Sequence, residues 1–332
     1  MDNQRTLKNS FSLKGKGLHT GQNIHITFNP APENFGYKIR RTDVFGQPVI
    51  EALAENVTNT QRGTVLSRYG VQVGTVEHAL AALYACEIDN CLIEVDAPEF
   101  PILDGSSIIY VSKIKETGVQ QQDAQRKYIS FMHKKIRVAD QETGSSMLLL
   151  PGNSFNIQSN ISFDSFLLKK QTACLESLSD FPKEIASART FVFVKEIEHL
   201  LQNDLIKGGD LDNAIVIYDS PIAQEEYDNL ADLMGTKRKN AKNIGYIMNK
   251  PLIYPNEPAR HKLLDIIGDL ALTGGFIKGT IIANRPGHKI NNMFARAIRN
   301  YYLAETQKKE KKEKKTQLEP ALATANFYWN LP

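Results

Sequence analysis

The stretch Arg260-His261-Lys262-Leu263-Leu264-Asp265-Ile266-Ile267-Gly268-Asp269 places a histidine and two carboxylates on one side of a predicted helix, because steps of four residues return to the same face. An imidazole and a carboxylate one turn apart can fill two coordination positions of a zinc-like cation, and a usable site then needs a third ligand from elsewhere. Thr75-Val76-Glu77-His78 and Gly287-His288 each offer one. An isolated HxxxD spacing is common and by itself describes a hydrogen-bonded surface pair. Here Leu263, Leu264, Ile266, Ile267 and Leu270 surround Asp265, so its charge stands at the edge of a buried face. An unpaired carboxylate is costly there, and a cation removes the cost.

Glu77 precedes His78 directly. A carboxylate beside a metal-held water can take its proton during attack, which makes Glu77 a candidate general base. Read alone, an acid in the positive first turn of a helix and a packed histidine need no metal. His288 follows the strand that leaves the His261 helix and can return toward that helix through a short connection; a loop histidine is ordinarily solvated. If Asp269, one turn beyond Asp265, bonds the imidazole, the charged form is favoured and His288 can donate a proton or steady an oxyanion. Gly15-Lys16-Gly17-Leu18-His19-Thr20-Gly21 and Gly208-Gly209 lack the spacing of nucleotide-binding loops and read as turns.

The elements that must position these residues follow from periodicity. Ile24, Ile26 and Phe28 alternate with polar residues as in a half-buried strand, and Tyr37 to Arg41 resumes one after Pro30-Ala31-Pro32. Val76 to Cys86 is expected to be helical with Thr75 as N-cap, Cys91 to Val95 a strand and Ile108 to Glu116 a second helix. The order then recurs. Strands are expected at Lys134 to Val138, Ser146 to Leu150 and Phe155 to Ile161, and helices at Val194 to Asn203 and Gln224 to Leu233. Asn256-Glu257-Pro258 starts the His261 helix, with proline in the first turn where its missing N–H is harmless, and Gly274-Gly275 ends it. A strand from Phe276 to Ala283 and a helix from Asn291 to Ala304 complete the body. The polar run between Lys115 and Lys127 marks a domain boundary, giving a first domain over 1–122, a second over 123–305 and a charged tail over 306–332.

With 332 residues, 42% hydrophobic and 23% charged, the chain can bury two cores of ordinary domain size. No run approaches the ~18 apolar residues of a membrane span, and Met1-Asp2-Asn3-Gln4-Arg5 leads into no signal-type stretch, so the cytoplasm is the expected location. Three cysteines, Cys86, Cys91 and Cys174, form no metal or redox spacing and read as reduced packing residues. The net charge of +3 resides in the lysine-rich run 308–315, which leaves 34 basic and 35 acidic residues elsewhere. Outside that run, read as a solvated helix extension or disordered tail, no basic stripe suits nucleic acid.

Taken in order, Gly17-Leu18-His19-Thr20-Gly21, Thr75-Val76-Glu77-His78, Asp104-Gly105-Ser106, Ala188-Arg189-Thr190-Phe191, Arg260-His261-Lys262 with Asp265 and Asp269, and Gly287-His288 resemble one family. It is the UDP-3-O-acyl-N-acetylglucosamine deacetylase family of lipid A synthesis, and the resemblance runs from about Thr6 to about Tyr302. It implies an α+β fold of two β-α-α-β sandwich domains with the active site between them. It also implies a zinc-dependent hydrolase that removes the N-acetyl group from UDP-3-O-(3-hydroxyacyl)-N-acetylglucosamine, giving the free amine and acetate in the committed step of lipid A biosynthesis.

Carried over by position, the resemblance makes His78, His261 and Asp265 ligands of one catalytic Zn2+, with Fe2+ as a substitute. Glu77 becomes the general base, His288 the acid or oxyanion stabiliser with Asp269 as its partner, and Thr190 a further support for the oxyanion. Lys262, Phe163, Phe191 and His19 become substrate contacts, and Ile197, Leu200 and Leu201 line a passage for the acyl chain. The implied partner is the small acylated UDP-sugar, with no nucleic acid, no stable membrane insertion and a monomeric state. Two departures stand out. Gly63 occupies a position where many members carry cysteine, and Gln224 to Lys250 looks like an insertion shared with a branch fused to a 3-hydroxyacyl carrier-protein dehydratase; the chain ends at Pro332, too soon for that second enzyme.

Two rival readings remain at this stage. Two histidines and a carboxylate also form the facial triad of a non-haem iron oxygenase, against which Glu77 beside the ligand argues for hydrolysis. A binding protein that keeps the sugar-nucleotide site without catalysis is the other, disfavoured by the presence of Glu77, His288 and all three ligands together.

Overall fold

Two sheets built on one plan carry the helices that hold these residues. The computed structural model describes residues 2–131, 134–203, 205–233, 237–238 and 240–328. The first sheet runs Phe11–Lys16, Asn23–Pro30, Cys91–Val95, Tyr37–Arg41, Val49–Glu51; the second runs Ile136–Asp140, Ser145–Leu150, Phe276–Asn284, Phe155–Ile161, Gln171–Leu175, with Tyr128–Ser130 added beside Phe276–Asn284. In each, the central strand is the last the chain reaches. It pairs antiparallel with one neighbour and parallel with the other. A parallel pair requires a crossover, and the crossover is where the functional helices lie.

Seven α-helices occur among the described residues: α1 (Glu77–Ala85), α2 (Ile108–Thr117), α3 (Phe181–Glu184), α4 (Val194–Gln202), α5 (Gln224–Leu233), α6 (Glu257–Ala271) and α7 (His288–Tyr328). Helices α1 and α6 precede the two central strands, and α2 and α7 follow them. The repeated order expected from sequence is therefore present as an α+β pair of sheet-and-two-helix units. Helices α1 and α6 pack on each other, joining both sheets into one apolar core that includes Ile26, Phe28, Leu80, Ile93, Leu264, Ile267 and Ile281. Every residue of α1 is buried: beyond Glu77 and His78 in its first turn the helix is apolar on all sides, as an enclosed helix must be. Asn23–Pro30 buries Ile24, Ile26 and Phe28 and turns His25 outward, the period-two pattern of a one-sided sheet.

A smaller three-stranded sheet, Phe191–Phe193, Ile215–Tyr218 and Gly245–Ile247, packs with α4 and α5 around Ile197, Val216, Tyr218, Tyr227 and Ile247. The stretch 224–250, read as an insertion, supplies one strand and one helix of this unit.

Several expectations are corrected in detail. Thr75 does not cap α1: its backbone is left-handed, Val76 occupies the N-cap position, and the Thr75 hydroxyl faces the buried Glu99 carboxylate at 3.4 Å instead. The last helix begins at His288, not Asn291, so His288 belongs to a helix start and not to a loop. The boundary drawn after residue 122 falls inside a strand, Val119–Gln125, that pairs with Asn3–Leu7, because Gly118 turns the chain back after α2. Cys86 and Cys91 are at least partly buried free thiols, whereas Cys174 is exposed on the edge strand Gln171–Leu175.

Candidate active site and metal centre

The first turn of α1, one flank of α6 and the start of α7 converge on one spot. His78 Nε2 and His261 Nε2 lie 3.8 and 3.4 Å from Asp265 Oδ1, and ligand atoms of the three residues all fall within 4.8 Å of one another. The two imidazoles meet edge to face, with ring centres 5.0 Å apart. Asp265 Oδ1 is buried and accepts no hydrogen bond from a described residue, while Oδ2 accepts one from Lys262 Nζ at 2.8 Å.

His261 Nδ1 donates to the Ala188 carbonyl at 3.0 Å, which sets the tautomer and leaves the Nε2 lone pair facing Asp265. Burial drives the His78 imidazole down to about 3, and neighbouring His261 adds to that. Burial also lowers His261 against the pull of Asp265. Burial would raise Asp265, but His261, Lys262 and His288 outweigh it and hold the carboxyl well below the usual range. Two unprotonated imidazole nitrogens facing an unpartnered carboxylate oxygen form a donor set suited to zinc, so the residues fit such an ion.

A buried ion pair sets this geometry. Arg189 Nε donates to Glu257 Oε1 at 2.8 Å and Nη2 to Oε2 at 3.2 Å, both side chains being almost wholly enclosed. Glu257 stands one turn before His261 on α6, so the pair fixes Ala188 and Thr190 against the helix that carries two of the three ligands. Ser107 Oγ donates to the His78 carbonyl at 2.8 Å and steadies the opposite helix.

Beside the triad lie Glu77 and His288. His288 Nε2 is 3.8 Å from Glu77 Oε1 and 3.8 Å from Asp265 Oδ2, and Nδ1 is 3.0 Å from Asp269 Oδ2. Burial raises Glu77 to about 7; Asp269 and Asp265 add to this and His288 opposes it. Burial works against a charged His288, yet Asp269 and Glu77 raise it to about 9. An acceptor carboxylate and a donor imidazolium therefore share one enclosure, with the base titrating below the acid. Thr64 connects them: its N–H donates to Glu77 Oε2 at 3.1 Å and its hydroxyl to Asp269 Oδ1, while Asn291 Nδ2 donates to Asp269 Oδ2 at 2.9 Å.

These groups open into a cavity of about 350 Å3, lined by Glu77, His78, Thr190, His261, Lys262, Asp265 and His288 among others. A second cavity of about 310 Å3 adjoins it, lined by His19, Val192, Ile197, Leu200, Leu211 and Val216. Phe191 lines both, with Lys262 Nζ 5.4 Å above its ring and the ring 6.3 Å from that of His261. His19, Thr190, Phe191, Lys262, Ile197 and Leu200 each line one or both of these cavities. Phe163 lines neither cavity: it packs against Phe191 and Phe193 at ring separations of 5.6 and 5.5 Å, supporting the wall from behind because that aromatic cluster claims its ring. The Leu201 side chain lies outside the described residues.

Sequence reasoning missed Thr64, Asn291 and the Arg189–Glu257 pair. Arg189 lay inside a quoted motif without a role. Thr64 adjoins Gly63, whose added Cβ would stand 3.1 Å from Glu77 Oε1, but no periodicity marks it.

The family model described as LpxC, UDP-3-O-acyl N-acetylglycosamine deacetylase, matches residues 4–233 and 233–300. A relative named bifunctional enzyme LpxC/FabZ, from Porphyromonas gingivalis, is 60% identical over 299 residues, covering 90% of this chain and 64% of that protein. Its namesake from Bacteroides thetaiotaomicron is 58% identical over 296 residues, covering 89% and 64%. A UDP-3-O-acyl-N-acetylglucosamine deacetylase from Syntrophus aciditrophicus is 38% identical over 297 residues, covering 89% of this chain and 85% of that one. The chain thus spans just under two thirds of the length of the bifunctional relatives it matches.

Proposed function

The chain belongs to the UDP-3-O-acyl N-acetylglycosamine deacetylase family, and from that premise we propose that it is a zinc-dependent amide hydrolase acting in the cytoplasm. Its substrate in this reading is UDP-3-O-(3-hydroxyacyl)-N-acetylglucosamine, from which it releases acetate and leaves the free amine, a step of lipid A biosynthesis. The observation that carries the proposal is the Asp265 oxygen, without a hydrogen-bond partner among the described residues, facing two unprotonated imidazoles, with Glu77 and His288 alongside. No helix among the described residues is long and apolar enough to cross a membrane.

His78, His261 and Asp265 would hold the ion. When bound, zinc polarises a carbonyl as a Lewis acid and lowers the pKa of water to about 7. Glu77 accepts the proton of the attacking water. Its raised pKa makes it a stronger base than an exposed carboxylate while leaving about half of it ionised in neutral solution. As the amide carbon becomes tetrahedral, negative charge grows on its oxygen. The Thr190 hydroxyl and the charged His288 ring stand on the cavity wall to stabilise it. Asp269 keeps His288 charged and aims Nε2 into the site. The leaving nitrogen takes a proton from this enclosure, the C–N bond breaks, and acetate departs. The acyl chain runs into the apolar cavity past Ile197 and Leu200.

The experiment is direct: incubate the acylated UDP-sugar with the chain, with a chelator, and with zinc restored, and measure acetate. Acetate should appear, vanish and return. Steady release from chelated, metal-free protein would refute the zinc role, and none from the zinc-loaded protein would refute the activity.

A further inference from the structure

The two cavities meet at a narrow place. Among the described residues, Leu18, Arg62, Thr190 and Phe191 line both. Leu18 and Phe191 are apolar, and Thr190 is already assigned to the oxyanion. Arg62 is the charged member, in the loop that ends at Thr64. Its guanidinium spans to α4 and meets Glu196 in a two-point pair, Nη1 to Oε2 at 3.1 Å and Nη2 to Oε1 at 3.0 Å. The Arg62 side chain is 42% exposed and that of Glu196 31%, so the pair itself contributes at most about 1 kcal/mol to stability. Its backbone is nevertheless left-handed, with φ at 61°, a conformation that costs a side-chain-bearing residue energy and concentrates at functional positions. Both terminal nitrogens are pinned by Glu196, and no described residue accepts a hydrogen bond from Nε.

We propose that Arg62, held by Glu196, is a specificity-determining residue that donates a hydrogen bond to the carbonyl oxygen of the acyl ester. This rests on the substrate reading above. A chain leaving the sugar in the polar cavity for the apolar one must cross this junction, and its ester carbonyl is the first acceptor on that route. With the guanidinium fork held by Glu196, the Nε–H is fixed in direction, which suits a carbonyl oxygen at the mouth of an apolar passage, where losing the bond would leave that oxygen poorly solvated.

The test compares the acylated UDP-sugar with a 3-O-alkyl ether analogue of equal chain length, which lacks only the carbonyl oxygen. The zinc-loaded chain should favour the ester in kcat/KM by roughly 10-fold or more, since a site built to bond an acceptor rejects the analogue without it. Arg62→Leu should bring the ratio near unity through a raised KM for the ester, with zinc content and kcat on the ether unchanged, and Arg62→Lys should restore part of the preference. Equal losses on both compounds, or a preference that survives Arg62→Leu, would overturn the assignment while leaving the hydrolase intact. No acetate from either compound with the unaltered chain would overturn the functional reading and this inference together.

Discussion

Gly268 and Glu77 meet backbone to backbone: a Cβ at position 268 would stand 2.1 Å from the Glu77 carbonyl oxygen and 2.9 Å from its Cα. Helix α6 presents Asp265 and Asp269 on either side of that contact, so the closeness of two backbones sets the distance between the halves of the site. Gly268→Ala should cost about 3 kcal/mol or more by overpacking and should lower zinc occupancy as α1 and α6 separate. Denaturant unfolding and metal analysis of the purified variant check both effects. Unchanged stability with full zinc would show that the helices have slack the structure does not.

Removing the Glu77 carboxylate separates catalysis from metal binding. Glu77→Gln should reduce kcat by about 100- to 10,000-fold, the usual worth of general base catalysis, with one zinc per chain retained. Near-normal turnover in a zinc-replete variant would assign the base elsewhere.

The pH dependence follows from two raised values of opposite use. Glu77, at about 7, must be ionised, so activity rises as pH climbs through its pKa; His288, at about 9, must be protonated, so activity falls as pH climbs through its own. A bound dication repels protons and moves both limbs downward. A bell-shaped kcat/KM profile is expected, with its acid limb at or below about 7 and its basic limb at or below about 9. His288→Gln should abolish the basic limb, and a basic limb unaltered in that variant would contradict the assignment.

Much of this site was legible because helical spacing is rigid. His261 and Asp265 share a face of α6 for the reason that made them candidates, and Pro258 does sit in its first turn. The strands Phe155–Ile161 and Asn23–Pro30 and the helices α1, α2, α4 and α5 follow their apolar periods closely. The convergence of α1 and α6 depends instead on one glycine contact that no local pattern encodes, and it was the ordered resemblance that brought His78 to His261. Thr64 was invisible because its work is done across 205 residues of chain, through a hydroxyl bonded to Asp269. Thr75 misled because a buried carboxylate, Glu99, competed successfully for its hydroxyl.

Thr64 should act as a positioning residue. Thr64→Val deletes a donor to Asp269 and so loosens the orientation of His288; about 10-fold in kcat should be lost, the scale on which removing a supporting hydrogen bond beside a metal site acts. Zinc content and KM should be little changed. A variant with lost zinc, or with a raised KM and normal kcat, would place Thr64 in a different role.

The Arg189–Glu257 pair should matter for folding. Glu257→Gln leaves a guanidinium buried without its counter-charge, which costs about 3–5 kcal/mol and should appear as a lowered urea midpoint. A loss under about 1 kcal/mol would mean that water or another acidic group compensates.

Anomalous scattering at the zinc edge from crystals of the zinc-loaded chain tests the central claim most directly. One peak should appear about 2.0–2.2 Å from His78 Nε2, His261 Nε2 and an Asp265 oxygen, and it should be lost in Asp265→Ala. An active protein whose zinc sits elsewhere, or whose three side chains bind no ion, would contradict the account.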